Sequence, residues 1–282
     1  MDNDDEIQFW NARGGQQWRR NQDQFETLFD AITARLLTLA APTQGETVMD
    51  IGCGSGALSI AVARAVGPSG RVVGVDVSRP LLDAARENRQ DAGLENLLLR
   101  EADAQSDALN LAADLVVSRF GVMFFADPVV AFRNLLRNTA QAGRLGFAAW
   151  GEIDDNPWFH MPLRAALDQL GGVPDRDPRK PGPTAFGDPV FTADILVRAG
   201  WQQVEVHTET VELMIEGSPT DAARFACQIG PVSRVYKTHP PSDEDRAAIV
   251  AQVASAFELF HRADRTLIPA CIHFVTAKQS PD

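Results

Sequence analysis

Apolar positions along this chain follow two periods, one typical of buried β-strands and one typical of amphipathic helices. Residues 24–41 carry apolar side chains at helical spacing, which predicts a helix that turns one apolar stripe towards the core. That stripe consists of Phe25, Leu28, Phe29, Ile32 and Leu36. Short apolar runs that end at glycine or charged residues predict strands. The first five such runs lie at residues 48–51, 72–75, 97–100, 115–117 and 144–150.

Helical patterns separate these strands, at residues 57–66, 79–92 and 128–137. Strands that alternate with helices predict an α/β fold, in which a doubly wound parallel sheet carries helices on both faces. After a further helix at 192–198, the sequence predicts a sixth strand at 203–207 and a last, antiparallel strand at 267–278. We therefore expect a sheet of seven strands, with its ligand outside the carboxyl ends of the strands.

Two segments are additional to this minimal architecture, and both are expected to form caps over the ligand. Residues 151–191 are rich in proline and carry one helical pattern, while residues 218–263 carry two more. The predicted organisation has four parts, which are an N-terminal helical lid (1–45), a ligand-binding core (46–150), a substrate-cap insert (151–191) and a C-terminal part of the core (192–282) that contains the helical insert 218–263.

The most informative stretch is VMDIGCGSG at residues 48–56, where an apolar strand runs into a glycine-rich turn. A second strand ends on Asp76, which lies 20 residues beyond Gly56. This layout is typical of a Rossmann-like, nucleoside-binding βαβ unit. Gly52 and Gly54 would let the backbone approach a ligand, and Gly56 would let the next helix pack on the strand. Asp76 would accept hydrogen bonds from both ribose hydroxyls.

Asp50, at the carboxyl end of the first strand, favours one class of ligand over another. A dinucleotide would bring its pyrophosphate close to this carboxylate, and two unit charges about 4 Å apart repel by roughly 4 kcal/mol at an effective dielectric constant of about 20. A ligand with a cationic amine and a sulfonium would be attracted instead. S-Adenosylmethionine carries both groups, so the turn predicts this cofactor.

Four motifs, in this order, resemble those of the class I S-adenosylmethionine-dependent methyltransferases. DIGCGSG resembles the first motif of the family, VVGVDVS the second, EADAQ the third and ADLVVSRFGVMFFADP the fourth. The resemblance runs from about Trp10 to the C-terminal strand. It implies that Asp50 helps to hold the methionine amine, that Asp76 binds the ribose and that Asp103 contacts the adenine amino group.

The same motifs place further residues on the cofactor side of the sheet. These residues are Gly52, Cys53, Gly54, Gly56, Val77, Ala104, Ser118 and Phe120. Cys53 contributes a small side chain to the turn, because neither a base nor a cluster of metal ligands accompanies it in the sequence. A glycine turn without any ligand is the alternative explanation for the first motif alone, but two acids after the second and third strands argue against it.

The N-terminal stretch FWNARGGQQW resembles the opening of a bacterial subfamily in which this region folds over the cofactor as a lid. Trp10 and Trp18 would then contact the cofactor, although ordinary packing in the core explains two tryptophans equally well. NPW at 156–158 and PGPTAF at 181–186 resemble the same subfamily. Its relatives act on ubiquinone-type quinones, polyketides and other secondary metabolites, which implies O- or C-methylation of a small, largely apolar substrate.

The net charge of −12 makes a nucleic acid an unexpected partner, because a polyanion requires a basic surface. The fourth motif agrees, since SRFG differs from the D/N-P-P-aromatic tetrad of relatives that methylate the amines of bases. Three cysteines without CxxC spacing favour neither disulfides nor a metal site.

Two features of the sequence favour the cytoplasm. No apolar run approaches the roughly 18 residues of a membrane span. The acidic start MDNDDE is also unlike a signal peptide. We therefore expect a cytoplasmic enzyme without a membrane partner, and a homodimer is one expectation for its assembly.

Methyl transfer from a sulfonium is an in-line displacement, so alignment in a dry cavity is the main task of the protein and is worth about 7–11 kcal/mol. If the acceptor must lose a proton, His160 is the first candidate for general base, because it follows NPWF in the first insert. A partly buried or surface histidine without a catalytic role is the alternative. Arg119 would orient an anionic substrate group or form an ion pair at the sheet edge.

Two other functions remain open at this point. One is a protein that binds S-adenosylmethionine without transferring its methyl group, either for other chemistry or as a regulator, since it would share all four motifs. The other is an NAD-dependent oxidoreductase, which is less favoured because Asp50 would face the pyrophosphate.

Overall fold

A mixed β-sheet forms the centre of the computed structural model, which describes residues 3–280. Within these residues the strands are β1 (Thr47–Ile51), β2 (Arg71–Asp76), β3 (Leu97–Glu101), β4 (Ala113–Arg119), β5 (Thr139–Trp150), β6 (Gln202–Glu216), β7 (His261–Arg262) and β8 (Arg265–Lys278). Their order is β3-β2-β1-β4-β5-β8-β6, and the short β7 pairs with β8. Strands β1 to β5 are parallel, and β8 runs antiparallel to both β5 and β6.

Helices connect the strands and also form the N-terminal segment and the two inserts. In the described part of the chain they are α1 (Asp4–Asn11), α2 (Arg13–Arg20), α3 (Gln22–Ala40), α4 (Ala57–Val66), α5 (Arg79–Asp91), α6 (Pro128–Arg137), α7 (Pro157–Leu170), α8 (Pro189–Ala199), α9 (Pro219–Ala226), α10 (Val232–Thr238) and α11 (Asp243–Phe257).

Two neighbouring residues of β5 show that helices cover both faces of the sheet. A Cβ atom at Gly146 would lie 3.0 Å from the Cβ of Ala40, so this face of β5 packs closely against α3. The next side chain, Phe147, points to the opposite face, where its ring stacks on Phe132 of α6 at 5.5 Å. The alternation along one strand thus places α3 and α6 on opposite sides.

The two inserts pack against each other and form one helical layer. Helix α7 of the first insert contacts α10 and α11 of the second, and α11 also packs on α9. Both α9 and α11 begin with a capping box, in which Ser218 and Ser242 bond the backbone N–H groups of Asp221 and Asp245. The division of the chain into lid, core and caps stays a prediction.

The predicted fold class is confirmed, with differences in the C-terminal half. The sixth strand was predicted at 203–207 but extends over Gln202–Glu216, because it pairs with β8 along nearly its whole length. The short β7 makes an eighth strand, and the second insert contains three helices rather than two. None of the helices among residues 3–280 is long and apolar enough to cross a membrane.

Phe132 offers a test of this packing, because its ring is fully buried among Phe125, Phe147 and Phe186. We expect Phe132→Ala to lower the free energy of unfolding by about 3–5 kcal/mol, through lost burial and the cavity left behind. Urea unfolding measures this change. The control Val190→Ala, at a residue 77% exposed on α8, should change stability by less than about 0.5 kcal/mol. Equal losses in both variants would contradict the placement of Phe132.

Candidate active site

A cavity of about 760 Å³ opens outside the carboxyl ends of β1 and β4, where the order of the strands reverses. This volume is in the range that small-molecule sites occupy. Its walls come from the glycine turn after β1, from the ends of β2 and β4, from helices α1 to α3, from the start of α7, and from residues 175–184 and 228–237.

The ends of β1 and β4 are held together by a close backbone contact. Gly52 has φ +65, and a Cβ atom there would lie 2.6 Å from the Cα of Gly121, so a side chain does not fit. The hydroxyl of Ser118 donates to the carbonyl of Ile51 at 2.7 Å. The turn therefore exposes its backbone to the cavity on a rigid base.

Asp50 is a buried carboxylate with one oxygen free of protein partners. Ser59 donates to Oδ2 at 2.5 Å, whereas Oδ1 has no hydrogen-bond partner although it is buried. Burial raises the pKa of Asp50 to about 7, and Asp76 adds to this effect, while Ser59 and Arg119 oppose it. Since Asp50 lines the cavity, a cationic ligand would supply the missing partner and favour the ionised carboxylate.

Two further carboxylates follow at the ends of β2 and β3. Asp76 accepts from the backbone N–H groups of Gly54 and Ser78, both at 2.8 Å, and burial raises its pKa. Two hydrogen bonds leave acceptor positions free on a carboxylate, so Asp76 can also accept from ligand hydroxyls. Asp103 accepts from the side-chain amide of Asn3 at 3.0 Å and from the backbone N–H of Gln105 at 2.9 Å. Both acids line the cavity.

The first two helices lie across the mouth of the cavity and are tied to the loop after β2. Ser78 donates to the carbonyl of Trp10 at 2.7 Å, and Asn11 donates to the carbonyl of Val77 at 2.8 Å. The indole of Trp10 meets that of Trp18 edge-on at 6.2 Å, and Trp18 stacks on Phe25 at 4.0 Å. Both tryptophans line the cavity as well as packing on other rings.

Aromatic rings form a large part of the cavity wall. The residues of this aromatic wall are Phe25, Phe29, Phe120, Trp150, Trp158 and Phe159. Phe120 stacks on Trp150 at 4.9 Å, and Trp150 contacts Phe159 at 4.5 Å. Trp158 is 1% exposed, and its buried indole N–H has no hydrogen-bond partner. A ligand oxygen would satisfy this donor, since an unpaired buried donor costs about 1–3 kcal/mol.

Arg119 is the last residue of β4 and lines the cavity. Its guanidinium donates to the hydroxyl of Thr33 at 2.6 Å and to Glu26 at 3.2 Å, and it lies 5.5 Å from the ring centre of Phe29. It also lowers the pKa of Asp50. The ion pair expected as an alternative is therefore present, but it joins β4 to α3 rather than lying exposed at an edge.

Most residues predicted for the site come together in the cavity. Those that line it are Trp10, Trp18, Asp50, Gly52, Cys53, Gly54, Asp76, Val77, Asp103, Ala104, Arg119 and Phe120. Cys53 is buried, and burial raises its thiol pKa well above the usual value, so it offers no thiolate.

Three predicted residues do not line the cavity. Ser118 serves the contact between β1 and β4. Gly56 allows close packing of a helix, as its place in the motif predicts, but the helix is α5, since a Cβ atom there would lie 3.2 Å from the Cβ of Ala85. The choice of His160 as general base has no support in the structure. Its neighbours Trp158 and Phe159 on α7 line the cavity, whereas His160 does not, and its Nδ1 is buried without a hydrogen-bond partner.

The prediction from sequence missed several lining residues. Phe25 and Phe29 were assigned to the core, but they are both buried and part of the cavity wall. Trp158 lies in the NPW motif, whose resemblance to a subfamily does not indicate a role for the indole donor. Asn3 and Glu6 carry no sequence signal, because only the fold of the lid brings them to the mouth.

The raised pKa of Asp50 predicts how the free energy of unfolding depends on pH in the absence of ligand. Its folded pKa of about 7 exceeds the unfolded value, so the folded state binds this proton more tightly. Its contribution to stability is therefore complete below about pH 4 and is lost as the pH rises through about 7.

Asp50→Asn keeps an acceptor for Ser59 and removes the titration. We expect the free energy of unfolding of the wild type, minus that of Asp50→Asn, to fall by a few kcal/mol between pH 4 and pH 8. Urea unfolding at a series of pH values measures this difference. A difference that stays constant or rises with pH would contradict a buried, weakly paired carboxyl.

Comparisons with known proteins agree with this geometry. Residues 42–157 match a family described as a methyltransferase domain. A nocamycin O-methyltransferase from Saccharothrix syringae is 31% identical over 236 residues, which cover 80% of this chain and 82% of that protein. An aklanonic acid methyltransferase from a Streptomyces species is 33% identical over 122 residues, which cover 43% of this chain and 56% of that protein.

A solved structure supports the fold. The YcgJ protein from Bacillus subtilis superposes with a TM-score of 0.57 at 17% identity, over 88% of this chain and 97% of that one. The sequence match to the nocamycin O-methyltransferase, which covers 80% of this chain, identifies the family. The chain therefore belongs to the class I S-adenosylmethionine-dependent methyltransferases, uses S-adenosylmethionine as its cofactor and methylates a small-molecule substrate.

Proposed function

We propose that this methyltransferase acts on an oxygen of a small, largely apolar metabolite, and that the acceptor is already ionised at neutral pH, as a carboxylate or an acidic enol is. The observation that carries this proposal is the position of the histidines. All five lie within the described residues, and none of them lines the cavity.

Three of the four other histidines are engaged in bonds to other parts of the chain. His273 is buried between the hydroxyl of Thr208 and the carbonyl of Gly187, both at 2.8 Å. His207 pairs with Glu205 on the exposed side of β6, and His239 bonds the carbonyl of Gly172. An acceptor with a low pKa needs no such base, because it enters the cavity as the nucleophile.

The curated relatives support this choice of acceptor. One is named as an O-methyltransferase of nocamycin, and another as a methyltransferase of aklanonic acid. We extend oxygen as the methylated atom, and an acidic substrate, from those proteins to this chain. The net charge of −12 supports a small metabolite rather than a nucleic acid as substrate.

The cofactor fits the residues at the strand ends. Asp50 would accept from its amine through the unpartnered Oδ1, Asp76 from its ribose, and Asp103 with Ala104 would contact its adenine. Trp10 and Trp18 of the lid would cover it and exclude water. When bound, the cofactor supplies a methyl group on a sulfonium, a leaving group that needs no activation. The residues of the chain therefore contribute mainly by orientation in a dry site.

The aromatic wall would hold the substrate beside the cofactor. Flat apolar surface of a metabolite would stack on Trp150 and Phe159, since aromatic rings prefer offset or edge-on contacts. The free indole N–H of Trp158 would donate to a substrate oxygen and fix its orientation. Arg119 would orient an anionic acceptor and favour the ionised form of Asp50, although Glu26 offsets part of its charge.

The acceptor is tested by product analysis with saturating S-adenosylmethionine and two matched panels, polycyclic aromatic carboxylic acids or enols and polycyclic phenols of high pKa. We expect methylated products from the first panel, with kcat nearly constant from pH 7 to pH 9. His160→Ala and Glu6→Gln should retain at least a third of the wild-type kcat, because no side chain removes a proton.

Turnover restricted to phenols of high pKa, with a kcat that rises through pH 7, would contradict an acceptor that ionises by itself. A kcat of Glu6→Gln more than about 100-fold below that of the wild type would also contradict the proposal, because it would identify Glu6 as a general base.

The role of Trp158 has its own test. Trp158→Phe keeps an aromatic ring and removes only the N–H donor, so we expect KM for the accepted substrate to rise roughly tenfold, which corresponds to one hydrogen bond of about 1.4 kcal/mol. The affinity for S-adenosylhomocysteine should stay the same, as a control for folding. An unchanged KM would show that the indole N–H does not bind the substrate.

A further inference from the structure

A second cavity, of about 540 Å³, lies at the edge strand β3 and shares no lining residue with the first. It is lined by residues of β2 and β3, of α5 and of the loop 109–111. The lining residues are Arg71 and Val73 in the first half of β2 and Leu98 to Arg100 in the middle of β3, so the cavity lies along the side of these strands. The cofactor site, by contrast, lies beyond the other end of the same strands.

Four arginines line this cavity, and no carboxylate is among the lining residues that the structure describes. They are Arg71, Arg86, Arg89 and Arg100. Arg86 pairs with Asp83 at 2.6 Å, whereas the other three have no carboxylate partner within residues 3–280. On a chain with a net charge of −12, four like charges around one concave surface are unexpected, because they repel one another.

Two of these guanidinium groups are held in place without being neutralised. Arg100 donates to the carbonyls of Leu109 and Ala108 at 2.6 and 2.8 Å, and Arg89 donates to the carbonyl of Leu94 at 2.9 Å. A guanidinium has five N–H donors, so each of them retains donors for a ligand. Fixed cations lose little entropy when they bind an anion.

Apart from Asn110, the remaining wall of the cavity is apolar. It consists of Val73, Leu98, Leu99, Leu109 and Leu111, of which Val73 and Leu109 are buried and Leu98 is exposed. Apolar walls exclude water from one side of a bound ion and so strengthen its attraction to the arginines. A carboxylate would offset one positive charge, whereas a phosphate ester carries about −1.5 to −2 charges and several acceptor oxygens that match guanidinium donors.

We propose that this arginine pocket, defined by Arg71, Arg86, Arg89 and Arg100, binds a phosphate group of a small molecule, at a site separate from the cofactor and the substrate. The phosphate belongs either to a free inorganic anion or to an organic phosphate ester whose apolar part contacts the leucines. The proposal rests on the pocket alone and does not depend on the acceptor proposed above.

Isothermal titration calorimetry tests it on the full chain with three probes: inorganic pyrophosphate, phenyl phosphate and benzoate. We expect a Kd below about 1 mM for at least one of the two phosphate compounds, an affinity that weakens with added salt, and weaker binding of benzoate. Pyrophosphate as the tighter probe would indicate a free anion, and phenyl phosphate as the tighter probe would indicate an ester.

The double variant Arg71→Gln/Arg86→Gln removes two of the four cations, so it should weaken phosphate binding at least tenfold. These two exposed arginines hold no loop in place, so the variant should keep the fold. The matched control is Arg133→Gln/Arg137→Gln on α6, which changes the net charge equally at another surface. Both variants should bind S-adenosylhomocysteine as the wild type does. Absence of binding by both phosphate compounds, or equal weakening in both double variants, would overturn the pocket as a specific site.

Discussion

A buried carboxylate with only one of its two oxygens bound lies at the base of the cavity. Asp50, the residue before the last of β1, has Oδ2 bound by Ser59 and Oδ1 unpartnered, in a place where burial opposes its charge. A carboxylate in this state attracts a cation and repels a phosphate. In the function proposed here, an electrostatic constraint at the end of one strand would select an adenosine ligand with a cationic tail over a dinucleotide.

The fold places the rest of the site around that constraint. Because the strand order reverses between β1 and β4, the ends of these strands leave a crevice, and the close approach of Gly52 to Gly121 keeps it rigid. The backbone of Trp10 and the side chain of Asn3 bond the loops that carry Asp76 and Asp103, so the first helices cover these acids. Aromatic rings from α3, β4, β5 and α7 line the same cavity. Its lining is therefore partly charged and partly apolar.

How far the site follows from the sequence depends on the element that carries each residue. The acids after β1, β2 and β3 could be predicted, because the carboxyl ends of parallel strands meet at one edge whatever the packing around them. Residues on α7 could not, since successive helical residues point about 100° apart and only tertiary packing decides which of them face the cavity. That is why Trp158 and Phe159 line it, while His160 does not. The fold class followed from the alternation of strands and helices, but the length of β6 depends on its pairing with β8.

The measurement that tests the role of Asp50 most directly is calorimetric titration of S-adenosylhomocysteine at pH 6 and pH 8. 5′-Methylthioadenosine, which lacks the amino-acid tail, and NADH serve as comparison ligands. If the ionised carboxylate holds the amine, the affinity for S-adenosylhomocysteine rises about tenfold between the two pH values, because the fraction of ionised Asp50 rises about tenfold around a pKa of about 7. The affinity for 5′-methylthioadenosine then stays constant. Tighter binding of NADH, or equal pH dependence with and without the tail, would contradict this role.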